Sequence, residues 1–78
     1  MNMVPYRRLS GESGVVEYES APASIRVRFV DGTVYTYSHA RAGRHHVQEM
    51  KRLAREGKGL SGYISKHVRD QYDSKEPS

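Results

Sequence analysis

The stretch Ser24-Ile25-Arg26-Val27-Arg28-Phe29-Val30-Asp31-Gly32-Thr33-Val34-Tyr35-Thr36-Tyr37-Ser38 decides how this chain folds. Ile25, Val27 and Phe29 alternate with Arg26 and Arg28. That period of two describes a strand with one buried and one wet face. Asp31-Gly32 is a turn dipeptide, and the β-branched and aromatic residues after it favour a second strand. The two together make a hairpin. Its register decides what the tyrosines do. A two-residue Asp31-Gly32 loop sets Arg28 opposite Tyr35 and Arg26 opposite Tyr37, which leaves both rings on the wet face as a stacking platform. A three-residue loop with Gly32 left-handed sets Val27 opposite Tyr35 and Ile25 opposite Tyr37, which puts both rings on the core side. A one-residue slip exchanges the faces, and the three-residue loop is favoured because it keeps each face chemically uniform.

Working outward, Val15, Val16 and Tyr18 mark a short strand before the hairpin, joined to it by Ser20-Ala21-Pro22-Ala23. Residues 1–13 show no periodicity and read as a flexible arm. After the hairpin the period becomes helical. Over 44–56, Val47, Met50, Leu53 and Ala54 fall within an apolar arc of about 120°. Gly57 is placed to end that helix. Lys58-Gly59-Leu60-Ser61-Gly62 reads as a link with Leu60 as its anchor. A second short helix over 63–72 carries Ile64, Val68 and Tyr72 on one side, with Ser61 or Ser65 as its cap. Residues 73–78 read as a flexible tail. The expected fold is a single α+β domain over 14–72, a three-stranded antiparallel meander with two helices on one face. Its expected core is Val16, Ile25, Val27, Phe29, Val47, Met50, Leu53, Leu60, Ile64, Val68 and Tyr72.

Composition narrows the function. Only 14 of 78 residues are Leu, Ile, Val or Phe, so the core is thin and the six tyrosines must add to it. The absence of cysteine excludes disulfides, thiolate metal sites and a cysteine nucleophile. No apolar run approaches the ~20 residues that span a bilayer, and there is no signal-peptide pattern, so a cytoplasmic protein without membrane association is expected. The net charge of +4 is concentrated within 41–69, where eight Arg and Lys face only Glu49 and Glu56. Such asymmetry attracts polyanions.

On the first helix Arg44, Lys51, Arg52 and Arg55 fall on one arc, with Glu49 and Glu56 expected on the far side by helical phase. Lys58, Lys66 and Arg69 lie nearby in sequence. These cations match the phosphates of a nucleic acid, and Tyr63 is a further candidate as a stacking surface for an unpaired base. No specific RNA-binding signature accompanies them. The other class the composition supports is a protein-interaction or accessory module that docks on a larger protein through an acidic surface. Enzyme chemistry finds little support. His67 and Asp70 lie three apart near Ser61 and Ser65, but no nucleophile elbow or phosphate loop surrounds them. His39, His45, His46 and His67 lack metal-ligand spacing, so neither metal nor cofactor is expected. His46 falls at the edge of the apolar arc. The open edges of a three-stranded sheet allow a weak dimer by strand addition, and a monomer is the alternative.

Several of these residues resemble a known bacterial module, the KTSC domain, named for its place at the C-terminus of some lysyl-tRNA synthetases. The resemblance covers about residues 14–72. It rests on Tyr35-Thr36-Tyr37 after a glycine turn, on Val16-Glu17-Tyr18-Glu19 before it, and on the closing Val68-Arg69 with Tyr72. Gly59 and His67 fit the pattern of stand-alone copies. The Val-Pro that usually opens the first helix is replaced here by His39-Ala40-Arg41-Ala42-Gly43, and Ser10-Gly11-Glu12-Ser13 stands at the family's Ser-Ser-x-Ile start without the isoleucine. The family has no established activity. RNA binding is what its synthetase setting implies, and a shared fold does not confer it.

Overall fold

A computed structural model describes residues 3–8 and 14–77 of the chain. The hairpin takes the three-residue loop. Strands β3 (Ser24–Phe29) and β4 (Val34–Ser38) pair antiparallel with Ile25 opposite Tyr37, Val27 opposite Tyr35 and Arg26 opposite Thr36. Phe29 N–H donates to the Thr33 carbonyl and Gly32 N–H to that of Phe29, each at 2.9 Å. Gly32 sits at φ 88, a conformation that glycine adopts without a Cβ clash. Asp31 Oδ1 accepts the Thr33 N–H at 2.9 Å, which closes the turn with a side chain. Tyr35 and Tyr37 therefore share the core side with Ile25 and Val27. Tyr37 is only 1% exposed, and Tyr35 is half-buried against the same cluster.

Strand β2 (Val15–Ala21) precedes the hairpin, and a bulge between Val15 and Glu17 corrects one core expectation. The extra residue lets Val15 take the core place opposite Phe29, while Val16 is only half-buried. Beyond the bulge Tyr18 faces Val27, and Glu17 and Glu19 pair with Arg28 and Arg26 on the outer face.

The sheet has five antiparallel strands in chain order, two more than the expected meander. Both additions lie in segments read from the sequence as arm and tail. Strand β1 (Val4–Pro5) lies on β2, and Tyr6 N–H donates to the Val16 carbonyl at 3.0 Å. Tyr6 is 3% exposed, and its hydroxyl accepts the Leu60 N–H at 3.1 Å. Strand β5 (Ser74–Glu76) lies on β4, held by backbone pairing and by Glu76 against Arg26 at 3.0 Å. Neither strand has an apolar alternation, because backbone groups and one anchor hold each in place. The edges of β2 and β4, which the sequence leaves open for strand addition, are thus occupied. Residues 9–13, within the expected arm, lie outside the described residues.

Helix α1 (Arg44–Glu56) lays Val47, Met50 and Ala54 on the sheet. Gly57 ends it in the left-handed conformation, its N–H bonded to the Leu53 carbonyl. Arg7 donates to the carbonyls of Arg55 and Glu56, a cation at the negative end of the helix. The second helical segment begins earlier than expected. Helix α2 (Leu60–Tyr63) starts after Gly59 without a side-chain cap, so neither Ser61 nor Ser65 serves. It widens at once into a π-helical turn (Ile64–Val68). Leu60, Ile64 and Val68 are buried by this path. Tyr72 lies beyond the helix, half-buried, with its ring edge-on to Tyr35 at 5.0 Å. Among the described residues no helix is long and apolar enough to cross a membrane.

Candidate functional site

The expected basic arc of α1 divides when the helix packs. Lys51 lies four residues after Val47 and three before Ala54, at the margin of the buried arc. It is 8% exposed, and its ammonium donates to the Ala21 carbonyl at the β2–β3 turn. A second correction concerns Glu49 and Glu56, which do not stand apart from the cations. Both carboxylates bind Arg52, at spacings of three and four residues. They hold its guanidinium above its ordinary pKa, and Arg52 in turn draws the Glu49 carboxyl below the usual range. Arg44 and Arg55 remain exposed with no side-chain partner among the described residues. Lys58 is exposed beyond the helix end.

Tyr63 is engaged internally. Its ring lies 4.4 Å from that of His67, and its hydroxyl hydrogen-bonds His46 Nδ1 at 2.7 Å. Burial pushes its hydroxyl pKa up, with the charge of Glu49 adding to the effect. His46 and His67 stack at 5.6 Å, and His45 lies edge-on to His46. This imidazole cluster follows from a helix pairing that residue spacing does not show. Among the described residues no group of three His, Cys, Asp or Glu side chains is placed to hold a metal ion.

The concave site lies elsewhere, between the hairpin end and the π turn. A cleft of about 320 Å³ is lined by Phe29, Val30, Asp31, Tyr35, Tyr37, Ile64, Ser65 and Arg69. Buried Tyr37 and Ile64 and half-buried Phe29 and Tyr35 give it apolar and aromatic walls. Burial raises the Tyr37 hydroxyl pKa well above its ordinary value, so that group stays neutral. Phe29 meets Tyr35 edge-on at 5.2 Å, and the Lys75 ammonium sits 5.7 Å from the centre of the Tyr35 ring. Asp31, Ser65 and Arg69 supply the polar groups at the exposed side. The Thr33 N–H holds the Asp31 carboxyl below the usual range, so it is ionised at neutral pH. The Arg69 guanidinium has no hydrogen bond or ion pair among the described residues, nor has the exposed Lys66 ammonium.

The site residues expected from sequence are therefore brought together only in part. Arg69 joins Tyr35 and Tyr37 at the cleft, and Tyr72 packs on Tyr35 behind it. Val68 is core, His67 belongs to the imidazole cluster, and Gly59 opens α2. Phe29, Val30, Asp31 and Ser65 were missed as site residues. The spacing of Ser65 and Arg69 is the one sequence signal for this wall, since residues four apart share a helix face. No family model, curated protein or solved structure matches the chain.

Proposed function

We propose that this chain is a small non-catalytic domain that binds single-stranded nucleic acid, RNA above all, with an unstacked base in the cleft. The observation that carries the reading is an aromatic-walled cleft with, at its side, a guanidinium that has no partner among the described residues. Phe29 and Tyr35 offer ring surface to a base, a contact worth about 1–3 kcal/mol. Arg69 and Lys66 offer charge to the adjoining phosphates, with Lys75 above Tyr35 as a third cation. A volume at the small end of ligand pockets admits one nucleotide and excludes a duplex. The KTSC resemblance belongs to the same proposal, because Tyr35, Tyr37 and Arg69, which help carry it, line the cleft.

The test is fluorescence anisotropy with a labelled nine-nucleotide uridine RNA across a range of salt. Binding should weaken as salt rises. Replacing Lys66 and Arg69 together by Gln should flatten the slope of log K against log salt by about one to two units. A folded double variant with unchanged affinity and slope would sink the reading. One observation favours a second reading, the docking of a protein partner. Val30 beside the cleft is 65% exposed, an apolar side chain that a protein surface would cover. A pull-down from native lysate that keeps its protein band after nuclease and high salt would move the weight there.

A further inference from the structure

Resting on the nucleic-acid reading above, we propose that a strand leaving the cleft crosses the π turn and stacks a second base on the exposed imidazoles of His67 and His45. Successive residues of a helical turn point about a quarter of a turn apart, so Ser65 and His67 face opposite sides. Ser65 lines the cleft together with the end of the hairpin. His67 faces α1, where its ring lies 5.6 Å from that of His46, and it lies 4.4 Å from that of Tyr63. Lys66 projects between these two sides, exposed and without a partner among the described residues. Ile64 and Val68 turn inward to the core.

The ring cluster is built from two elements and left open at its surface. Half-buried His46 and Tyr63 form its floor, joined from Nδ1 to hydroxyl at 2.7 Å. His45 and His67 stand exposed above them, and neither has a hydrogen bond or ion pair among the described residues. Imidazole is one of the aromatic surfaces on which unpaired RNA bases stack. Glu49, whose charge reaches Tyr63 and His45, is clasped by Arg52 and so repels a strand little. Lys66 does not line the cleft, but at the crest of the crossing its ammonium meets the phosphates between the two bases. The two stacking sites lie about one helix width apart, about 10–12 Å. A dinucleotide therefore fills the cleft without reaching the imidazoles, whereas a longer strand engages both.

The experiment uses the intact chain with uridine RNAs of two and nine nucleotides. Anisotropy follows the longer RNA, and NMR titration at millimolar concentration follows the dinucleotide. His67→Ala should weaken the nine-nucleotide RNA about tenfold, within the range of one lost base stack, and leave the dinucleotide unchanged. His67→Phe keeps a ring and should bind both RNAs as the unaltered chain does. His45→Ala, on the other element, should weaken the longer RNA alone and by less. A further measurement needs no variant. In the unaltered chain the nine-nucleotide RNA should shift the ring protons of His45 and His67, and the dinucleotide should shift only those of Phe29 and Tyr35. Unmoved histidine protons, with full affinity retained by His67→Ala, would overturn the second site and leave the cleft as a one-base site. A loss shared equally by both RNAs would overturn it too, because His67 would then act through the cleft or the fold. A loss in His67→Phe as large as in His67→Ala would overturn ring stacking as the contact. Failure of every RNA to bind at low salt would overturn both the second site and the nucleic-acid reading beneath it.

Discussion

The cations of α1 and those of the second helical segment begin as the same chemistry and end differently. On α1, Lys51 is drawn under the β2–β3 turn to cap a carbonyl, and Arg52 is clasped by two carboxylates. On the π turn and just after it, Lys66 and Arg69 find no partner among the described residues, and Arg69 borders a cleft. The difference comes from what lies beside each residue. A cation at the margin of an apolar arc buries its stem and seeks a carbonyl. One placed three or four residues from Glu is neutralised. A run of positive charge in a sequence is therefore an upper bound on the charge a surface offers to a ligand.

The largest expected effect tests whether the two regions share one core. Tyr37→Ala empties the floor of the cleft, where the ring is 1% exposed, and should cost about 3–5 kcal/mol in urea unfolding. Arg44→Ala on the exposed side of α1 should stay within about 0.5 kcal/mol. Similar small values for both would mean that the cleft floor is no part of the cooperative core.

The next effect separates structural from available cations within α1. Lys51→Ala loses a buried stem and a bond to the Ala21 carbonyl, so a destabilisation of about 1–2 kcal/mol is expected. Arg55→Gln should again change stability by less than about 0.5 kcal/mol. In binding the order reverses. Lys51→Gln should leave the salt slope unchanged, because its ammonium is already committed, whereas Arg69→Gln should reduce it by about one. A slope lowered by Lys51→Gln would restore α1 as the phosphate site.

These contrasts also mark what the sequence could show. The hairpin and its register were legible because Ile25, Val27 and Phe29 alternate cleanly and Asp31-Gly32 demands a left-handed residue. The α1 core face was legible from its helical period, Leu53 being its half-buried margin. Strands β1 and β5 were hidden because edge pairing is made by backbone groups, which every sequence possesses. The bulge that exchanges Val15 for Val16 leaves no mark in a run of two valines. For the site, the sequence supplied Arg69, Tyr35 and Tyr37 but not their meeting with Phe29 and Asp31. That meeting depends on how the π turn is set against the hairpin, a tertiary fact. Lys51 was the readable error. Its spacing from Val47 and Ala54 already placed it nearest to the core of the four α1 cations.

The smallest effect is one of pH, and it compares two acids held by different partners. Glu49 is lowered chiefly by its hydrogen bond from Arg52, and Asp31 chiefly by the backbone N–H of Thr33. A carboxyl whose folded pKa is depressed binds its proton more weakly in the fold than in the unfolded chain. Its stabilising share is complete above the unfolded value, about 4 for such groups, and is lost as pH falls through the lowered folded value. The melting temperature should therefore fall on acidification below about pH 5, and Glu49→Gln and Asp31→Asn should each flatten that fall. Asp31 is exposed and Glu49 half-buried at the surface beside an exposed arginine, so each share is small. Salt tells them apart. The Glu49 share rests on an exposed ion pair and should fade near 1 M salt, where the screening length is about 3 Å. The Asp31 share rests on a local backbone bond and should persist there. An acid limb unaltered by Asp31→Asn in high salt would show that the Thr33 bond does not hold the carboxylate in solution.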